Sequence, residues 1–124
     1  MMAASTHQIH PTALYGIYTA EGGKVGMANL NTNGSYDLGP MQINTIWLPA
    51  LSKRFDMSEE KVEYKLKNDA CFNVDTAAII LKDHLKNEPD FLMALGNYHS
   101  KTPKHNRKYR TRILKNLKRE GLIK

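Results

Sequence analysis

The sequence has little of what usually holds a small extracellular protein together or anchors a protein in a membrane. Among its 124 residues there is one cysteine, Cys71, which excludes an internal disulfide and a zinc site made from several cysteines. No stretch approaches the roughly 20 consecutive apolar residues that a membrane-spanning helix needs. Residues 1–5 lack the basic end and apolar centre of a signal peptide. With 41% apolar residues, the chain is long enough for one folded domain, which we expect to cover residues 1–124.

Acidic side chains are almost absent from the last 24 residues. Residues 1–100 carry eight basic and eleven acidic side chains, whereas residues 101–124 carry ten basic side chains and only Glu120, a net charge of +9. Two interpretations stay open: a solvated basic helix, or a cationic surface for nucleic acid or an acidic cell-wall polymer. Because Tyr109 is the only aromatic residue in this stretch, there is little to stack on bases, and nucleic acid is not the partner we expect.

The histidines do not form a pattern typical of a metal site. All five are scattered, and His99 and His105 lack a third ligand close to them in sequence. We therefore expect neither a metal ion nor another cofactor.

Hydrophobic periodicity predicts a mostly helical α+β domain with one small hairpin. The hairpin is indicated by the Asn33-Gly34 step, which is a strong turn signal. The predicted helices, in chain order, cover 11–21, a segment after Asn44, 58–67, 71–86, 91–98 and about 104–120. In the last of these we expect an inward face made of Tyr109, Ile113, Leu114 and Leu117.

Glu21 is the residue best placed to act as a general acid. It shares one face of its predicted helix with Leu14, Ile17 and Tyr18, and it lies in the last turn, at the negative end of the helix dipole. Apolar neighbours and the dipole both disfavour a charged carboxylate, so this group is suited to carry and donate a proton. Asp37, just past the hairpin turn, is a second carboxylate, and two carboxylates facing each other across a cleft are typical of glycosidases. From the residues alone, a surface Glu at a helix end and an Asp that supports a turn remain the alternatives.

The most specific motif in the chain is NTNGSYDLGPMQIN at 31–44, which follows Glu21. Shorter segments follow it in order, at 47–49, 71–74 and 94–98, with Tyr109 in the final helix. In this order, over about residues 10–115, the chain resembles the lysozyme-like lytic transglycosylases. It is most similar to the small peptidoglycan-cleaving enzymes of type III and type IV secretion and conjugation systems, and its hairpin also resembles that of c-type lysozymes. The resemblance implies a lysozyme-like fold, α+β and mostly α, with the hairpin beside the catalytic helix.

The resemblance also implies an activity. The reaction would cleave the β-1,4 bond between N-acetylmuramic acid and N-acetylglucosamine in peptidoglycan and leave 1,6-anhydro-muramyl ends, without a metal or nucleotide. Glu21 would be the catalytic acid and Asp37 the second catalytic carboxylate, with Tyr98 hydrogen-bonded to Glu21. The implied substrate-binding residues are Met41, Gln42, Tyr98 and His99.

The chain departs from the family pattern at several positions. Gly22 stands where Ser is usual, Pro40 where Leu or Ile is usual, and His99 where Asn usually follows the tyrosine. Cys71 matches a half-cystine whose partner lies upstream of the catalytic helix in the family, and this sequence has no second cysteine. We therefore expect Cys71 to be a free thiol near the surface of its helix.

Two other functions stay open at this stage. One is a lysozyme-type muramidase, a hydrolase that uses Glu21 and Asp37, and the other is a non-catalytic peptidoglycan-binding protein. We expect a periplasmic or cell-wall location, with a signal peptide removed; a cytosolic or phage-like relative of the family is the alternative. The expected partners are peptidoglycan glycan strands and components of a secretion or conjugation machine.

Overall fold

The computed structural model describes residues 9–123, and over this range the protein is α+β and mostly helical, which confirms the predicted fold class. The elements, in chain order, are α1 (Pro11–Glu21), β1 (Ala28–Leu30), β2 (Tyr36–Leu38), β3 (Ile43–Asn44), a 3-10 helix (Thr45–Trp47), α2 (Leu48–Phe55), α3 (Glu59–Asn68), α4 (Ala70–Asn87), α5 (Phe91–Asn97) and α6 (Pro103–Arg119). None of these helices is long and apolar enough to cross a bilayer.

The chain forms two compact units. The helical unit comprises the described residues up to Ala20 and those from Ala77 onward, and the sheet unit comprises Glu21–Thr76. Each unit has its own set of buried apolar side chains. In the helical unit these are Ile9, Ala13, Leu14, Ile17, Ala77, Ala78, Ile80, Leu81, Ala94, Leu95, Tyr109, Ile113 and Leu117. In the sheet unit they are Leu38, Met41, Ile43, Leu48, Leu51, Val62 and Leu66.

The sheet has three antiparallel strands in the order β1-β2-β3, one more than the predicted hairpin. The loop between β1 and β2 is closed by a hydrogen bond from Asn31 N to Ser35 O (2.8 Å), and Gly34 adopts a positive φ of 86°. The third strand, Ile43–Asn44, is only two residues long and pairs with Asp37 and Leu38. So short a strand leaves no alternating pattern in the sequence, which is why periodicity did not predict it.

Helix boundaries follow the local capping signals. Ser58 Oγ accepts a hydrogen bond from Lys61 N (3.1 Å) at the start of α3, and Asp90 accepts one from Met93 N (3.0 Å) at the start of α5. Asn44 caps the 3-10 helix by accepting from Ile46 N (2.8 Å), so the predicted helix after Asn44 is divided into a 3-10 helix and α2. These side chains satisfy backbone N–H groups that have no partner inside the helix.

Two expectations about buried faces are wrong. Tyr18 is 44% exposed, because the buried stripe of α1 is centred on Ala13 and Ile17 and leaves Tyr18 outside it. Leu114 is 39% exposed, because the inward face of α6 runs through Asn106, Tyr109, Ile113 and Leu117. The fourth buried residue of that face is the polar Asn106, which a search for apolar residues at helical spacing does not find.

Candidate active site

Glu21 is the last residue of α1 and is half-buried. Helix α1 ends there because Gly22 takes up the left-handed conformation, with φ 66°, that glycine adopts without steric cost. The predicted place of Glu21 in the last turn of this helix is therefore confirmed.

Gly23 joins the end of α1 closely to the turn that carries the MQIN motif. A Cβ at Gly23 would overlap the carbonyl oxygen of Gly39 and would lie 2.8 Å from the carbonyl oxygen of Pro40 and 2.9 Å from Nε2 of Gln42. Only glycine permits this approach of two backbones. The position of Glu21 relative to the turn at 39–42 is consequently set by direct backbone packing, two residues away from the carboxyl group.

Asn73 holds the other side of the same turn. Its side chain is fully buried, and its Nδ2 donates to Leu38 O (2.9 Å) and Leu66 O (2.8 Å), while its Oδ1 accepts from Met41 N (2.9 Å). Gly39 packs so closely on this amide that a Cβ at position 39 would overlap Asn73 Nδ2. One buried amide thus ties the turn to α3 and α4, and this role was not predicted from the sequence.

Asp37 lies in the middle of a polar row that crosses the sheet. Its cross-strand partners are Asn29 on β1 and Asn44 on β3, so the three side chains lie on one face. Asn44 Nδ2 donates to Asp37 Oδ1 (3.0 Å) and to Ser35 Oγ (3.0 Å). Because Asn44 Oδ1 is used in capping the 3-10 helix, the amide has a fixed orientation and holds the half-buried carboxylate in place. The alternation of side chains along the strands is the signal that could have placed Asn29 and Asn44 beside Asp37.

Gln42 braces this face from the turn. It is a non-glycine residue with φ 52°, a conformation that costs about 1 kcal/mol and is maintained only where neighbours hold it. Its Nε2 donates to Gly39 O (2.9 Å), and its Oε1 accepts from Asn29 Nδ2 (2.7 Å). Contact between Gln42 and a glycan stays a prediction, and the bonds within the protein make Gln42 a positioning residue for the row.

Of the other predicted substrate-binding residues, Met41 is buried, and Tyr98 and His99 belong to the helical unit. Met41 is 1% exposed, so its side chain belongs to the core of the sheet unit. Contact between Met41 and a glycan stays a prediction, and this burial does not support it. Tyr98 and His99 belong to the helical unit, and the implied hydrogen bond between Tyr98 and Glu21 stays a prediction. Within the helical unit the His99 ring stacks on Tyr109, with ring centroids 4.7 Å apart.

The segment before Tyr98 is held by a second buried asparagine. Asn106 Nδ2 donates to Asn97 Oδ1 (2.8 Å), Met93 O (3.2 Å) and Ser100 O (3.2 Å), and its Oδ1 accepts from Arg110 Nε (2.7 Å). Asn106 therefore fixes α5 and the residues after it against α6.

Cys71 is exposed in the first turn of α4, which confirms the prediction of a free thiol near the surface. Among residues 9–123, no three His, Cys, Asp or Glu side chains come together in a way that could hold a metal ion.

No protein-family model matches the sequence, but the chain is similar to proteins that are already named. The chain is 32% identical over 118 residues to the invasion protein IagB of Salmonella typhimurium (strain SL1344), in an alignment that covers 94% of this chain and 71% of IagB. The chain belongs to the IagB family. The IagB proteins of Salmonella typhimurium (strain LT2) and Salmonella typhi match with the same identity and coverage. Since the alignment leaves only a few residues of this chain outside it, the whole candidate site lies within the region shared with the IagB family.

Proposed function

We propose that this member of the IagB family is a peptidoglycan lytic transglycosylase, with Glu21 as its acid and base. The observation that carries the proposal is the arrangement in the sheet unit: Glu21 ends α1, and Gly23 packs that end directly on the turn at 39–42. The same turn leads into the polar row that holds the Asp37 carboxylate. An acid on a helix end and a second carboxylate on a braced sheet face form the kind of pair that glycosidases use to cleave a glycosidic bond.

In the proposed reaction Glu21 carries out both proton transfers. The carboxyl group of Glu21 donates its proton to the bridging oxygen, and the bond between that oxygen and the anomeric carbon breaks. The carboxylate then takes the proton of the muramyl C6 hydroxyl, whose oxygen forms a bond to the anomeric carbon and closes the 1,6-anhydro ring. Glu21 ends the cycle protonated, as it began, and no water is consumed. Asp37 stabilises the positive charge that develops near the anomeric carbon.

Analysis of the products tests this proposal directly. The purified protein is incubated with sacculi, and the released muropeptides are identified by mass spectrometry. Muropeptides with 1,6-anhydro ends, 18 mass units (about one water molecule) lighter than the corresponding reducing muropeptides, are expected from the native protein and not from Glu21→Gln. Release of reducing ends as the main product would contradict the proposal.

The alternative of a lysozyme-type muramidase is favoured by one specific observation. Asn44 fixes the Asp37 carboxylate in a single orientation, which suits a group that bonds to or shields the anomeric carbon while water completes the reaction. Reducing ends in the experiment above would support that alternative. The absence of any released product would favour a non-catalytic peptidoglycan-binding protein.

The location and partners follow from the proposed substrate. A lytic transglycosylase acts where peptidoglycan is, in the periplasm or at the cell wall. We further propose that the protein opens the wall locally for a secretion or conjugation apparatus, and its relatives are named invasion proteins.

A further inference from the structure

Helix α6 presents a continuous cationic surface opposite its buried side. At about 100° per residue, seven cations fall within an arc of about 140°, and the buried residues of the helix lie on the opposite side. We call these seven residues the basic face, and all of them are exposed: Lys104, Arg107, Lys108, Arg112, Lys115, Lys118 and Arg119. They extend over about 22 Å of helix, at about 1.5 Å per residue.

No carboxylate of residues 9–123 neutralises the basic face. None of its seven side chains forms an ion pair within the described part of the chain. Glu120, the one acidic residue after position 100, accepts a hydrogen bond from Tyr15 Oη (3.2 Å) instead. Seven like charges on one helix repel each other and destabilise the isolated protein, so an anionic partner would relieve this repulsion.

The other side chains of α6 indicate which class of anionic partner the basic face suits. An apolar ridge that could enter a bilayer is missing from its centre: Leu114, 39% exposed, lies at its margin. The aromatic residue of the helix, Tyr109, is 2% exposed and cannot stack on bases. The amide of Asn116 donates to Thr19 Oγ1 (3.2 Å) and does not project from the basic face. What remains is a set of flexible point charges suited to many dispersed anionic groups.

We propose that the basic face binds the carboxylates of peptidoglycan stem peptides and holds the enzyme on its substrate independently of Glu21 and Asp37. The proposal rests on the proposed function, because that function supplies an insoluble polyanion as substrate. The attraction acts over about a Debye length, roughly 8 Å at physiological ionic strength, so it needs no exact fit to the stem peptides.

The test measures binding separately from cleavage. All proteins carry Glu21→Gln so that the sacculi stay intact, and the bound fraction is measured by sedimentation. The basic-face variant carries Lys104→Gln, Lys108→Gln, Lys115→Gln and Arg119→Gln. The matched control loses three lysines and one arginine from exposed positions elsewhere, through Lys53→Gln, Arg54→Gln, Lys61→Gln and Lys86→Gln. Circular dichroism of each variant verifies that the helices are intact.

We expect the basic-face variant to bind sacculi at least about tenfold more weakly than its parent, since four of the seven exposed positive charges are lost from the proposed binding surface. The matched control should stay within about twofold of the parent, which excludes an effect of net charge alone. Binding of the parent should fall between about 0.01 M and 1 M salt, over which the Debye length shrinks from roughly 30 to 3 Å. Sacculi whose carboxyl groups have been amidated should bind the parent as weakly as intact sacculi bind the basic-face variant.

Three results would overturn the proposal: equal losses in the two variants, binding that does not change with salt, or undiminished binding to amidated sacculi. Tighter binding of the parent to duplex DNA or to anionic phospholipid vesicles than to intact sacculi would overturn it in favour of those partners. Product analysis with native Glu21 is a separate measurement. If the native protein makes anhydro ends but the basic-face variant binds as tightly as its parent, the proposed function stands and this inference is refuted. If binding depends on the basic face but the native protein releases no product, this inference stands and the proposed function is refuted.

Discussion

The proton of Glu21 is what the proposed reaction transfers first. Glu21→Gln keeps the shape of a half-buried side chain at the end of α1, but its amide has no acidic proton to transfer. We expect lytic activity to fall about 100-fold to 10,000-fold, the usual contribution of a general acid. Turbidity of a sacculus suspension measures the loss, and an unchanged melting curve would show that folding is intact. Substantial activity in a folded Glu21→Gln protein would place the acid elsewhere.

We expect Asp37 to assist catalysis in a transglycosylase and to be essential for catalysis in a muramidase. The attacking C6 hydroxyl is tethered to the sugar, and intramolecular attack has a large advantage in effective concentration over attack by water. Asp37→Asn should therefore lower the rate by roughly 10-fold, about 1.4 kcal/mol of the barrier, which is less than the effect of Glu21→Gln. Initial rates of anhydro-muropeptide release give the comparison. A loss as large as that of Glu21→Gln would favour an obligatory role for Asp37, and no loss would leave it a residue of the hairpin.

Asn73 carries more of the stability of the sheet unit than its residue type suggests. Its amide makes three hydrogen bonds in a fully buried position, and Asn73→Ala would leave two carbonyl oxygens and one N–H without that partner. We expect a loss of about 2–4 kcal/mol in the free energy of unfolding, measured by urea denaturation. Asn87→Ala, in the same helix but exposed, should stay within about 0.5 kcal/mol of the parent. Equal effects of the two substitutions would contradict the role given to Asn73.

At the scale of elements, the contact between the end of α1 and the turn at 39–42 decides whether the site is assembled. Gly23→Ala would put a methyl group into the carbonyl oxygen of Gly39, so one of the two backbones has to move. We expect a loss of about 1–3 kcal/mol in stability and a loss of lytic activity in the protein that still folds.

Gly34→Ala is the comparison for Gly23→Ala. At Gly34 nothing lies within 4 Å of the added Cβ, and the cost is the strain of φ 86° alone, about 1–2 kcal/mol. Because a Cβ at Gly34 meets no atom of the turn at 39–42, activity per folded molecule should be nearly unchanged in Gly34→Ala. If Gly23→Ala keeps its activity as well as Gly34→Ala does, the packing of Gly23 is not what positions the site.

At the scale of the whole molecule, the stability should fall on the acid side of neutrality because of His84. Burial, reinforced by the charge of Lys101, lowers the pKa of His84 from its ordinary 6.5, and Asp83 offsets part of this. The unfolded chain then binds a proton more readily than the folded one, so this group makes the free energy of unfolding decrease as the pH falls below about 6.5. Above that pH both states are neutral at His84 and it adds no pH dependence.

Urea denaturation of the parent and of His84→Gln across this pH range measures the effect of His84. We expect a shallower decrease in the variant, while His105→Gln, at an exposed position, should retain the decrease of the parent. The same slope in His84→Gln as in the parent would show that other groups dominate the acid side.

The sequence by itself determined most of the elements and the position of Glu21 at a helix end. Capping residues, glycines and helical periodicity act within a few residues. Gly22 therefore predicted the end of α1, Ser58 the start of α3 and Asn33-Gly34 the hairpin, while periodicity predicted α4 and α5, all without knowledge of distant contacts. The place of Glu21 at a helix end follows from the same local signals.

Only the tertiary structure decided how the site is held together. Asn44 reads in the sequence as a helix cap, yet it also orients Asp37, because the register of β2 and β3 places the two residues opposite each other. Asn73 and Asn106 read as ordinary polar residues of helices, and their burial depends on carbonyl groups that arrive from segments up to 35 residues away. A hydrogen-bonding amide satisfies such groups where an apolar side chain could not, and no local pattern in a sequence records which groups those will be.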